Sequence, residues 1–180
     1  MEYLVYIVLG IVAVVAIWYI TTYNSFKKLV IETEESSSGI DVALAKRYDL
    51  ITNLVAVVKG YTKHEKETLE KIVSLRSSLK NNRNQANTEM NGIMSQILLL
   101  VEAYPEIKAN ENYLHLQKSL VDVEEHLQAA RRLYNRRVAE LNVKIHQFPT
   151  NYVAKSMNVT QKEFFSAEED QRSSVKVEIE

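Results

Sequence analysis

The sequence has no cysteine. That excludes a disulfide framework, a thiolate zinc site, a cysteine nucleophile and a lipid anchor on an N-terminal Cys. It has two prolines and four glycines in 180 residues, far too few for a sandwich or barrel, which needs a turn every 8–12 residues or so. Net charge is scarce as well, at −1. From Thr21 onward the chain carries 22 Lys+Arg against 22 Asp+Glu, because Glu2 is the sole charge before it. No bulk basic excess exists to draw that part onto nucleic acid, so no nucleic-acid partner is expected.

What is present is one long apolar run. Residues 3–20 (YLVYIVLGIVAVVAIWYI) contain no charge and no strong hydrogen-bonding side chain. As a helix they span roughly 27 Å, close to the hydrocarbon thickness of a bilayer. Tyr3 and Tyr6 stand at one end and Trp18, Tyr19 and Tyr23 at the other, where amphipathic rings settle among headgroups. A buried core helix would not place its aromatics at both ends. A cleaved signal peptide wants a positive start and small residues before the cut. Here the start offers Glu2, and residues 18–23 (WYITTY) are bulky. The run reads as an uncleaved, single-pass transmembrane anchor. Lys27 and Lys28 follow it and no Lys or Arg precedes it, so the N-terminus is expected outside and the remainder in the cytoplasm.

The remainder reads as helix almost throughout. Ile40, Leu44, Tyr48, Ile51, Val55 and Val58 recur at steps of mostly three or four, as do Leu69, Ile72 and Leu79. Residues 59–68 between them are polar and include Gly60, where the helix is either exposed or bent. Residues 81–88 (NNRNQANT) lack periodicity and read as a loop. Met90, Ile93, Met94, Ile97, Leu98 and Val101 mark a shorter helix with Asn87 as its expected N-cap, stopped at Tyr104-Pro105. Asn110 is placed to cap the last helix, whose stripe runs Tyr113, Leu116, Leu120, Val123, Leu127, Ala130, Tyr134, Val138, Leu141, Ile145 and Phe148 before Pro149. The 40–80 stretch has nearly the same length, so the two are expected to pair side by side along their whole extent. Spacing near 3.5 favours shallow packing angles, as in bundles and coiled coils. Residues 150–165 add a short terminal helix or hook. Beyond lies an acidic tail, read as disordered, whose last six residues alternate like an edge strand and offer a minor route to binding by strand addition. The expected domains are an anchor over 1–22, a helical bundle over 23–165 and a tail over 166–180.

Three blocks of residues resemble the LemA family. The first holds Ile40-Asp41-Val42, Lys46-Arg47-Tyr48-Asp49-Leu50-Ile51, Asn53-Leu54-Val55, Val58-Lys59-Gly60-Tyr61 and His64-Glu65. The second holds Tyr104-Pro105, Lys108 through Tyr113 (KANENY), Leu116-Gln117 and Leu120. The third holds Glu124, Ala130-Arg131-Arg132, Tyr134-Asn135, Val138, Asn142, Phe148-Pro149, Asn151 and Ala154, with Phe164-Phe165 near the end. The similarity covers nearly the whole chain. Thr52 departs from the proline usual there, which leaves a helix break at 49–53 open. Leu141 departs from the usual aromatic residue. The resemblance implies an all-α fold: an N-terminal transmembrane helix followed by a long antiparallel up-and-down bundle of about four helices. It implies no activity. A related branch belongs to magnetosome membranes, and family members are often encoded near membrane metalloproteases or other small membrane proteins, which suggests such partners by association.

Candidate sites are few. His64-Glu65 suggests a zinc helix, but the residue where the second His belongs is Thr68. His115, His126 and His146 are scattered, and no Glu is followed by His three residues on, as a di-iron bundle requires. No catalytic, metal or cofactor residues are expected. Asp122, Glu124 and Glu125 read as a solvated acidic face. Arg131, Arg132, Arg136, Arg137 and Lys144 form a basic cluster, expected to pair across helices with Asp41 and Asp49, or else to meet anionic headgroups, another protomer or a partner. Arg47, Tyr48, Asp49, Asn53, Tyr134, Asn135 and Asn142, with Arg131 and Arg132 beside them, are polar groups close to apolar stripes. They read as a buried network fixing helix register, or as a functional surface.

Together these features suggest a non-enzymatic, membrane-anchored scaffold or interaction module. Its expected partners are the bilayer, further copies of itself, and a membrane protease or other small membrane protein. Membrane shaping is the specific form this suggests. The alternatives are an accessory subunit of a membrane protein quality-control enzyme, or a signalling adaptor working through residues 166–180.

Overall fold

The computed structural model describes residues 1–61 and 82–165. Among them the chain is all-α: α1 (Glu2–Lys59), α2 (Arg83–Ala103), α3 (Pro105–Lys108), α4 (Glu111–His146) and α5 (Thr150–Ser156). His64-Glu65, Leu69, Ile72, Leu79 and the tail over 166–180 lie outside the described residues.

One helix carries both the apolar run and the first stripe. α1 continues for 58 residues from Glu2 without a break, through the anchor, through residues 18–23 and through 49–53. Thr52 sits comfortably there because its hydroxyl donates to the Tyr48 carbonyl at 2.9 Å, where a proline would have removed a backbone donor. The helix ends at Gly60 and Tyr61, whose N–H groups turn back to the carbonyls of Val57 and Val58 at 3.2 and 3.0 Å. The helix that carries the first stripe therefore starts far before Ile40, and residues 62–80 of the stretch expected to pair with the last helix lie outside the described residues. α4 runs antiparallel to parts of α1 that begin well before Ile40.

Two compact units divide the chain. The first comprises Met1–Ser37 and Arg132–Phe165. Its core is Phe26, Leu141, Val153 and Ala154, all nearly inaccessible, with Trp18, Leu29, Val30, Ile145, Met157 and Val159 packed around them. Burying a ring such as Phe26 is worth about 1.5–3 kcal/mol. Thr33 and Ser36 are buried on the same face of α1, and their hydroxyls are satisfied by the carbonyls of Leu29 and Thr33 at 2.7 and 2.9 Å. α5 closes in a Schellman turn. The N–H of Val159 reaches the Ala154 carbonyl at 3.1 Å, that of Asn158 reaches Lys155 at 3.2 Å, and Asn158 itself takes a left-handed φ of 51°.

The second unit comprises, among the described residues, 38–61 and 82–131. Ile40, Leu44, Ile51, Val55 and Val58 of α1 are buried, as are Met90, Ile93, Ile97 and Val101 of α2 and Tyr113, Leu120, Val123 and Leu127 of α4. Each set matches the apolar stripe read from the sequence. Residues 82–88 differ from the expected loop. Asn82 caps α2, its side-chain oxygen accepting from the N–H groups of Asn84 and Gln85 at 3.1 and 3.2 Å. Ala86 and Asn87 are already buried one turn later, so Asn87 is an interior residue and not the cap. α2 stops at Tyr104 before Pro105. Asn110 starts α4 by accepting from the Tyr113 N–H at 3.1 Å and donating to the Tyr61 hydroxyl at 2.8 Å.

Candidate functional site

Four of the nine polar residues singled out by the sequence, Arg47, Tyr134, Asn135 and Asn142, take part in two separate arrangements. The first lies in the unit of 38–61 and 82–131. Arg47 projects from α1 between α2 and α4, and its side chain is 11% exposed. One guanidinium nitrogen donates to Asn87 Oδ1 and another to Asn91 Oδ1, both at 2.6 Å. The two asparagines are four residues apart on α2, so they stand one above the other and match the planar fork of the arginine. Glu124 Oε2 of α4 lies 3.4 Å from the same guanidinium. Three helices are tied at one point. Tyr48 is half-buried beside it, while Asp49 and Asn53 are exposed on α1 outside this arrangement. Asn87, Asn91 and Glu124 were not legible as partners, because an asparagine on a polar segment gives no sign of which helix it will face.

The second arrangement lies in the other unit and uses the C-terminal half of α4 as a backbone-binding rail. Asn135 donates to the Phe165 carbonyl at 3.0 Å and accepts from the Phe165 N–H at 2.8 Å. Asn142 does the same for Lys162, at 2.9 and 3.0 Å. Between them the Tyr134 hydroxyl donates to the Glu163 carbonyl at 3.1 Å, and His146 meets the Gln161 side chain at 3.3 Å. The fit is a matter of lengths. Seven residues of helix rise about 10.5 Å, and three residues of extended chain cover about 10 Å. Each asparagine amide thus does for one residue of the strap what a neighbouring β-strand would do. Residues 150–165 form the short helix and hook that the sequence suggests, but the hook's partner is this pair of amides.

The basic cluster does not pair with Asp41 and Asp49. Asp41 is taken by Arg83, whose Nε and Nη2 reach its two oxygens at 2.6 Å each, and Asp49 is exposed. Arg137 lies 3.3 Å from Glu32 and 2.9 Å from Glu140, while Arg136 lies 3.1 Å from Glu140. Lys144 donates to the Ser25 hydroxyl and stands 5.3 Å above the Phe26 ring. The reason is register: this part of α4 faces residues 25–32 of α1, before Asp41 is reached. Arg131 is half-buried and Arg132 exposed.

Hydrogen bonds from Arg137 and then Arg136 hold the Glu140 carboxyl below its ordinary value of 4.5. A carboxyl with a lowered folded-state pKa stabilises the fold above its unfolded value, and that stabilisation is lost as pH falls through the folded value. Glu140→Gln is therefore expected to flatten the pH dependence of the melting temperature below about pH 4.5, with wild type and variant converging in acid. Both arginine partners are partly exposed, so the effect should be small and should shrink further in high salt. Parallel acid slopes for the two proteins would contradict the assignment.

The fold and its two polar arrangements define a class of protein: a helical bundle on a helix long and apolar enough to cross a membrane, with Arg47 and the asparagines of α4 bonded to the chain's own helices and strap. The chain belongs to the LemA family, whose model matches residues 36–179. It is 28% identical over 163 residues to Protein LemA of Metamycoplasma hominis, covering 87% of this chain and 74% of that protein. It is 24% identical over 196 residues to Magnetosome protein MamQ of Magnetospirillum gryphiswaldense, covering 89% and 72%. Magnetosome protein MamQ 1 of Paramagnetospirillum magneticum is 23% identical over 189 residues, covering 88% and 69%. None of these names denotes an enzyme.

Proposed function

We propose that this protein is a single-pass, membrane-anchored scaffold without catalytic activity that assembles with copies of itself at the membrane. The observation that carries the reading is the first third of α1. Its most apolar 18-residue window has a mean hydropathy of 2.5 and no buried residue, so a helix-length apolar surface stands bare where water would penalise it heavily. From Thr22 and Phe26 onward the same helix enters a packed core. The anchor over 1–22 then ends where the bundle over 23–165 begins, with 166–180 as a tail. The bias of positive residues at Lys27 and Lys28 supports a bundle on the cytoplasmic side. The non-catalytic part is supported by the two polar arrangements, which use their hydrogen bonds on the chain's own backbone and side chains.

Parallel anchors confine the bundles to one plane and raise their effective concentration, which favours self-association. The relatives named as magnetosome proteins support membrane organisation as the setting. A membrane protease or other small membrane protein remains the heterologous partner this reading admits. Native mass spectrometry of the full-length protein extracted in mild detergent is expected to return a defined oligomer. A monomer under every detergent and lipid condition would overturn the scaffold.

A further inference from the structure

Phe148 ends the apolar stripe of α4 in the sequence, yet it is 74% exposed, and Tyr152, one turn into α5, is 65% exposed. The two rings meet edge to face with centroids 6.1 Å apart. Their height along α1 is fixed by contacts within the same unit. Arg137 meets Glu32, Lys144 meets Ser25, and the Ser156 hydroxyl meets Tyr19 Oη at 3.0 Å. The α4–α5 turn therefore lies beside residues 19–25 of α1, a band about 9 Å tall. Trp18 packs against the Val153–Ala154 core of the same turn, and the Tyr19 and Tyr23 rings adjoin at 6.4 Å.

We propose that the α4–α5 turn is a second membrane contact, in which Phe148 and Tyr152 enter the headgroup layer of the bilayer beside the exit of α1. This rests on the reading that the apolar part of α1 spans the membrane. With residues 3–20 in the hydrocarbon, the band beside 19–25 coincides with the interfacial zone, whose depth is about 5–10 Å. The chemistry fits that zone. Tyr152 has the apolar body and polar edge of rings that settle there and Phe148 adds apolar surface beside it, while the exposed Lys27 and Lys28 of α1 and Lys155 of α5 suit anionic headgroups. α5 would thus seat its own unit on the surface as well as fill that unit's core.

The absence of cysteine makes the test direct. Single variants Phe148→Cys and Tyr152→Cys, each with a nitroxide label, are reconstituted as full-length protein in vesicles of phosphatidylglycerol and phosphatidylethanolamine. Val12→Cys marks the middle of the span and Glu125→Cys marks water. Collision with oxygen and with a polar nickel chelate then reports depth. Both labels are expected between the two references, favouring oxygen several-fold over the Glu125 position. Labels that match Glu125, or that are shielded from both reagents as by a second protein copy, overturn the contact. If Val12 itself reads as water, the spanning reading fails and takes this one with it. A deep Val12 with aqueous 148 and 152 defeats the surface contact alone. All four sites are exposed, so the labels displace no packed side chain.

Discussion

Arg47→Ala is expected to lower stability by about 2–4 kcal/mol, a large effect for a polar substitution. The arginine contributes no apolar core. The loss comes from what it leaves behind: Asn87, which is 5% exposed, and Asn91 both give up a 2.6 Å hydrogen bond, and Glu124 gives up its cation. Stranding a buried acceptor costs about 1–3 kcal/mol. Stranding a buried charge costs about 3–5, but Glu124 is 40% exposed as a side chain and its Oε1 keeps the Gln128 amide at 2.9 Å, so part of that is recovered although Oε2 itself is buried. Arg47→Lys should rescue little, because a single ammonium cannot span two oxygens held one helical turn apart. Glu124→Gln should cost less than about 1 kcal/mol, since the asparagine contacts persist. Melting followed by circular dichroism in detergent checks the series, and the alanine loss corresponds to roughly 5–15 °C. An Arg47→Ala protein that melts with wild type would show that the three-helix tie carries no stability.

The second large effect belongs to the strap. Asn135→Ala removes two hydrogen bonds from a partly buried site and should cost about 1–3 kcal/mol. Asn142→Ala removes two from an exposed site and should cost less. Tyr134→Phe, which loses one bond, should cost least. Hydrogen exchange gives the sharper readout, because the Lys162 and Phe165 amides each donate to one named side chain. Asn135→Ala should deprotect the Phe165 amide by tenfold or more, a factor worth about 1.4 kcal/mol. Asn142→Asp keeps an acceptor for the Lys162 N–H but loses the donor and sets a carboxylate against the Lys162 carbonyl, so the strap should loosen there more than neutral truncation predicts. Unchanged protection at both amides would mean that the strap is held by something other than these side chains.

The helices were legible because burial obeys the 3.6-residue period. Ile40, Leu44, Ile51, Val55 and Val58 form one face whatever they pack against. The stop at Tyr104 was legible because proline excludes helix from the residue before it, whereas α4 ends at His146, short of the Phe148-Pro149 stop the sequence suggests. Register was not legible. The sequence pairs the basic cluster with Asp41 because both signs of charge lie on adjoining helices, but Arg83 of another helix is a closer claimant. Asn82 and Asn87 show the same limit. Either residue type can cap a helix, and which one does depends on where Ala86 and Met90 are drawn inward. The strap was hidden for another reason. Asparagines seven apart on a helix have no local purpose, and their meaning appears only when an extended segment twenty or thirty residues later is laid against them.

The rail formed by those asparagines recognises main chain alone. Lys162, Glu163 and Phe164 keep their side chains exposed, and neither amide senses what they are. Substitutions at Lys162 and Glu163 should therefore leave this seat undisturbed, while substitutions at the two asparagines should not. Positions 162 and 163 are a fixed mount with interchangeable lettering, where the displayed side chain can change while the main chain stays seated.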